Sequence, residues 1–170
     1  MKSLFGTSIT YKTHLSEKEV FARLSDFIEP KQIIRSGLFG NKATAPYEGD
    51  IGVQTFSIRR IIRYRNSFLP QIEGTVQKDF DGGTLIQIKM RMLPFVIGFS
   101  IFWCSIVVFV FLALLIDSIM HAKFQPAIFM PLGMFLFFCV LVEFAFGFER
   151  DRAKTDLRKL FEAEIVTDIL

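Results

Sequence analysis

Glu143 is the single charged residue inside two long apolar runs of this 170-residue chain. An ionisable group in such surroundings does chemistry by relaying a proton or a cation. Glu143 stands about five residues, roughly 8 Å along a helix, from the polar sequence that follows it. From there its carboxylate reaches the interface or pairs with Arg91 or Arg150, so a structural anchor is the stronger expectation and transport the alternative. Cys104 and Cys139 also fall inside the apolar runs. As a pair they would suit redox or metal chemistry, but two small polarizable side chains packing together is the simpler expectation. No disulfide framework is indicated.

Other reactive constellations fail on spacing. His14 and His121 lie far apart in the chain, and no CxxC, HExxH or GxSxG pattern occurs. The stretch from Gly37 to Thr44 superficially resembles a phosphate-binding loop, yet only two residues separate Gly37 from Gly40 where four are required. Asp79 and Asp81 flank a turn, where aspartate serves the backbone, and Glu48 and Asp50 sit in a Pro/Gly-rich loop. No pair of carboxylates is singled out for acid–base work. The expectation is a protein that is not an enzyme and needs no cofactor or metal.

A basic cluster is more suggestive. The run Arg63-Tyr64-Arg65-Asn66-Ser67-Phe68-Leu69-Pro70 sets two arginines beside two large apolar residues. Residues 1–94 carry 14 Lys or Arg against nine Asp or Glu. That balance suits an anionic membrane surface, where each cation contributes on the order of 1 kcal/mol. It lacks the basic helix or aromatic–basic sheet pattern of a nucleic-acid binder, so no nucleic-acid partner is expected.

The elements that position these residues begin with the apolar runs. Phe95–Ile116 has no charge in 22 positions, and Pro126–Phe148 is similar apart from Glu143. At about 1.5 Å per residue, 22 residues make roughly 33 Å of helix, enough for a hydrocarbon core of about 30 Å. Two buried core helices in a soluble protein would also be apolar. One face of such helices usually meets water, however, and a chain of this size has too little core to cover both. The expectation is a transmembrane hairpin over residues 94–148, with spans of about 95–116 and 126–148 and an outer loop at 117–125. Lys and Arg number 14 before it, one in the loop and five after it. By the positive-inside rule both termini lie in the cytoplasm, as for a multi-pass protein of the inner or plasma membrane. The N-terminus has no apolar stretch of secretory-signal length, so the hairpin itself drives insertion.

Residues 1–93 and 149–170 make up a discontinuous cytoplasmic α+β domain. Phe5–Leu15 alternates as a first strand. Ser16 and Glu19 form a capping box for an amphipathic helix over Glu17–Glu29, which Pro30 stops. Lys31–Asp50 reads as a loop with one short strand near Gln32–Arg35. Three antiparallel strands follow at Gly52–Arg65, Gln71–Phe80 and Thr84–Met92. Arg60 interrupts the apolar side of the first, which suggests a bulge or an edge, and Asp81-Gly82-Gly83 turns the last pair. Glu149–Ile165 continues the second span as an amphipathic helix that folds back on the sheet, with Gly147 as a hinge.

The last strand runs into the first span through Leu93-Pro94. The Arg63–Pro70 connection therefore lies at the bilayer surface, where Arg63, Arg65, Arg91 and Arg150 meet headgroups and Phe68 and Leu69 enter the acyl chains. The element order, with Gly82-Gly83-Thr84, resembles a helix-grip (START-type) lipid-binding domain, from which this chain departs by placing a hairpin before the final helix. That resemblance implies a hydrophobic-ligand site on the concave face of the sheet. Three functions compete. In the first, the domain is held at the inner leaflet to bind a protein partner or lipid, as an accessory subunit or an immunity-type protective protein. The second is the hydrophobic-ligand binder, and the third an oligomeric channel or transporter component using Glu143.

Overall fold

The computed structural model describes residues 6–31, 44–62, 64, 66–80, 82–122 and 124–169. The chain is mixed α+β. Its strands are β1 (Gly6–Thr13), β2 (Ile28–Pro30), β3 (Tyr47–Ile51), β4 (Thr55–Arg60), β5 (Gln71–Lys78), β6 (Thr84–Arg91) and β7 (Glu164–Ile169). They form one sheet in the order β2-β3-β4-β5-β6-β1-β7, antiparallel except for the β2–β3 pair. Helix α1 spans Glu17–Phe27, α2 Pro94–Met120 and α3 Phe129–Leu160, with a 3₁₀ turn at Pro126–Ile128 leading into α3.

Strict alternation puts one side of the sheet in the core. Ile9, Tyr11, Phe56, Ile58, Ile72, Val76, Ile86, Ile88 and Met90 all point to that side and are no more than 2% exposed. α1 covers it with Val20 and Leu24, and the last third of α3 covers it with Ala153 and Leu157, joined by Phe161 just past the helix end. Ser16 caps α1 as expected, its hydroxyl accepting from the Glu19 amide while the Glu19 carboxylate accepts from the Ser16 amide. Phe56 lies directly over Gly74 on the neighbouring strand, where any Cβ would run into the ring.

Several expectations are corrected. Among the described residues the sheet has seven strands rather than a first strand and a three-strand meander. β2 and β3 occupy positions read as helix end and loop, and the short strand expected at Gln32–Arg35 lies outside the described residues. β4 is shorter than Gly52–Arg65, and its register with β3 and β5 runs through Arg60 and Arg59 without a bulge. The final helix stops at Leu160 instead of Ile165. Glu162 takes a left-handed φ of 48°, Ala163 donates to the Arg158 carbonyl at 3.1 Å, and the chain reverses into β7 beside β1. This is the hydrogen-bond pattern of a Schellman cap without its usual glycine.

α2 and the first part of α3 stand apart from the sheet as an antiparallel hairpin. Both are long and apolar enough to cross a membrane. In the most apolar stretch of each, only 11% of residues are buried, so these are not core helices. Gly147 does not break α3, which continues through it for 32 residues.

Candidate functional site

α3 changes character midway. Up to Phe144 its surface is mostly exposed Phe, Leu, Val and Met; from Ala145 it is fastened to the sheet domain by polar contacts. The Asn66 amide donates to the Ala145 carbonyl at 3.2 Å, and two turns of helix later the Tyr11 hydroxyl donates to the Lys154 carbonyl at 3.2 Å. Arg23 reaches the Leu160 carbonyl at 3.0 Å, and Thr13 the Phe161 carbonyl at 2.6 Å. The last two use helix C-terminal carbonyls that have no partner within the helix.

The centre of this seam is Glu149, which has no exposed surface. Arg60 Nη1 lies 2.9 Å from Glu149 Oε2, and the Tyr64 hydroxyl donates to Oε1. A carboxylate buried without partners costs several kcal/mol, and here both oxygens are taken. Burial pulls the Arg60 guanidinium down, but its hydrogen bond to Glu149 and that charge outweigh the burial, and it sits above its ordinary value. Burial first, then Glu149, raises Tyr64. Alongside, the Tyr47 hydroxyl donates to Asp156 Oδ2 at 3.0 Å, and burial, then Asp156, pushes Tyr47 well above the usual tyrosine range. These shifts keep the arginine charged and the tyrosines protonated at neutral pH. The arrangement fixes the geometry of α3 against the sheet. Among the described residues no cluster of three His, Cys, Asp or Glu side chains is placed to hold a metal.

The residues singled out from sequence scatter around this seam. Arg63 and Arg65 lie outside the described residues, as does Asp81 of the turn. Arg91 ends β6 and is exposed. Arg150 pairs with Asp151 at 3.0 Å, and among the described residues Glu143 has no ion-pair partner, so of the two forms of anchor the pairing with Arg91 or Arg150 is not formed. Glu143 is exposed, and its helical neighbours Val142 and Phe146 pack on Met92, with Ile97 and Phe138 beside them. That places the carboxylate within about a turn of the level where α2 begins. Leu69 is buried at 7% exposure and Phe68 is half-buried against the same cluster. Leu69 therefore turns into the protein rather than outward, because Asn66, which caps its own loop by accepting from the Phe68 amide, holds the segment against α3.

Cys104 and Cys139 are both free and line one side of an apolar groove of about 400 Å³ between α2 and α3. The groove between sheet and α3 that a helix-grip domain would keep open holds Tyr11, Tyr47, Phe56 and Phe161 instead, with Phe56 and Phe161 ring centroids 6.2 Å apart.

Sequence reasoning missed Arg60, Glu149, Tyr47 and Asp156 as a group. The usable signal was Arg60 itself, a cation on the apolar side of a strand, which demands an acid from whatever covers it. The chain matches no protein family, no curated protein and no solved structure.

Proposed function

We propose that the chain is an integral membrane protein, not an enzyme, whose sheet domain is held at the cytoplasmic leaflet to bind a protein partner or lipid. The observation that carries this is α3 itself, one uninterrupted helix with an exposed apolar first half and a second half fastened to the sheet. Phe95, Phe109, Ile119, Met130, Phe137 and Phe144 each leave more than two-thirds of their surface uncovered, between 68% and 83%. Each such side chain gains about 1.5–3 kcal/mol on leaving water. A bilayer provides that gain to both helices at once, along their whole length and on all sides. The Lys and Arg balance favours the sheet domain on the cytoplasmic side.

Glu143 at the level of the first turn of α2 favours an interfacial position over a midplane transport role. The filled space between sheet and α3 favours a surface binder over an enclosed ligand cavity.

The test is extraction and labelling. The full chain is expected to resist alkaline carbonate extraction. In a background with Cys104→Ser and Cys139→Ser, a membrane-impermeant maleimide on intact cells should label His121→Cys and leave Phe80→Cys unlabelled. Extraction into the soluble fraction would overturn membrane insertion, and the reverse labelling would overturn the orientation.

A further inference from the structure

The side of the sheet that no helix among the described residues covers carries an ordered row of charges. Cross-strand neighbours share a face, and the register Gly6–Arg91–Gln71–Arg59–Glu48–Glu29 runs straight across six strands. Arg91 is three residues before Pro94, the first residue of α2, so this is the row nearest the hairpin. The next row holds Lys89, Glu73, Ser57 and Asp50. Where the two rows meet β3 and β4, a pocket of about 60 Å³ opens, bounded by Lys31, Arg59, Gln71, Ser57, Glu48 and Asp50. A single water needs about 10–15 Å³ of such space, so the pocket takes a group several times larger. Leu93, immediately before α2, forms part of its wall.

The chemistry of that wall is specific. Two cations and two carboxylates line it, and among the described residues no aromatic ring does. Glu48 is 5% exposed and holds Arg59 at 2.6 Å, which fixes the guanidinium while leaving its side chain 40% exposed. Lys31 and Asp50 are exposed, and among the described residues neither has an ion-pair partner. A purely anionic ligand would meet two carboxylates and a purely cationic one two cations. Arg59 and Glu48 already hold each other, and a ligand carrying both signs answers the remaining exposed pair, Lys31 and Asp50. A primary ammonium donates three hydrogen bonds to carboxylates, whereas a quaternary ammonium has none to give and favours aromatic faces, none of which lines the pocket among the described residues.

We propose that this pocket binds the headgroup of a zwitterionic phospholipid with a primary amine, of the phosphatidylethanolamine class. Lys31, Arg59, Gln71 and Ser57 take the phosphate, and Asp50 takes the ammonium, with Glu48 holding the Arg59 guanidinium in place. The inference rests on the membrane reading above, since Leu93 brings the pocket to the bilayer surface only if α2 crosses it.

The full chain in detergent is mixed with phosphatidylethanolamine, phosphatidylcholine and phosphatidylglycerol of identical acyl chains, and retained lipid is read by native mass spectrometry. The ethanolamine lipid should be retained at least fivefold over each of the others. Lys31→Gln and Asp50→Asn, both at exposed positions, should each bring that ratio below twofold with unchanged thermal unfolding. Equal retention of the three lipids, or variants that keep the wild-type ratio, would overturn the assignment. Soluble O-phosphoethanolamine separates lipid from free ligand: binding as tight as that of the lipid would overturn a bilayer source, and much weaker binding supports it. A chain that failed carbonate resistance would overturn the membrane reading first, which distinguishes the two failures.

Discussion

Arg60 Nη1 and Glu149 Oε2 face each other at 2.9 Å with Glu149 fully out of solvent and the Arg60 side chain 15% exposed. β4 and α3 are 89 residues apart at this pair, and the whole hairpin lies between them. Removing one partner from a buried pair costs about 3–5 kcal/mol, because the other charge stays behind. Glu149→Gln and Arg60→Met are each expected to cost that much in denaturant unfolding of the detergent-solubilised chain. The double substitution should recover most of the loss, since no lone charge then remains. Purely additive losses would count against the pair.

Tyr47 sets an alkaline limit. Its folded pKa is raised, by burial first and then by Asp156, above the ordinary value near 10. The folded state therefore holds the phenolic proton more tightly than the unfolded state. Stability from this group is complete below about pH 10 and falls as pH rises further, at up to about 1.4 kcal/mol per pH unit. Denaturation midpoints measured from pH 8 to pH 11.5 should bend downward above pH 10, and Tyr47→Phe should flatten the bend.

Two glycines should respond oppositely to alanine. A Cβ at Gly147 would meet Arg150 Nη2 at 3.7 Å and Glu143 Oε1 at 3.9 Å, ordinary contact distances. Gly147→Ala is expected to stabilise by up to about 1 kcal/mol through helix propensity. Gly74→Ala drives a methyl into the Phe56 ring and should cost about 1–3 kcal/mol. Urea titration of both variants reads the sign directly; a loss at Gly147 would indicate that a bend there matters.

Leu69→Ala should destabilise the fold by about 2–5 kcal/mol, the cost of a cavity at a buried leucine. Glu143→Gln, exposed and without an ion-pair partner among the described residues, should change stability by less than about 0.5 kcal/mol. Flux through reconstituted vesicles that depended on Glu143 would revive the transport alternative.

Periodicity made the long elements readable. The apolar helices, β1, β5 and β6, and the Ser16–Glu19 cap all follow from local pattern, because each is long or chemically marked. β2 and β3 were illegible at three and five residues, with Pro30 and Gly49 suggesting a loop. β7 was hidden by coincidence: Ile165 continues the three-and-four spacing of Leu157 and Phe161, and the reversal at Glu162 lacks the glycine that would have marked it. The Arg60–Glu149 pair needed tertiary knowledge, since local pattern can show that a strand arginine is misplaced but not which distant acid receives it. Leu69 was misassigned because an apolar residue beside a proline reads alike whether it faces lipid or the protein interior.

The unbroken length of α3 has a mechanical corollary. Its 32 residues extend about 48 Å, and membrane helices lean by about 20° on average. Swinging such a rod through that angle displaces its far end by roughly 16 Å. If α3 crosses a bilayer as proposed, a membrane that thins or thickens would swing the sheet with the rod like a pointer on a gauge.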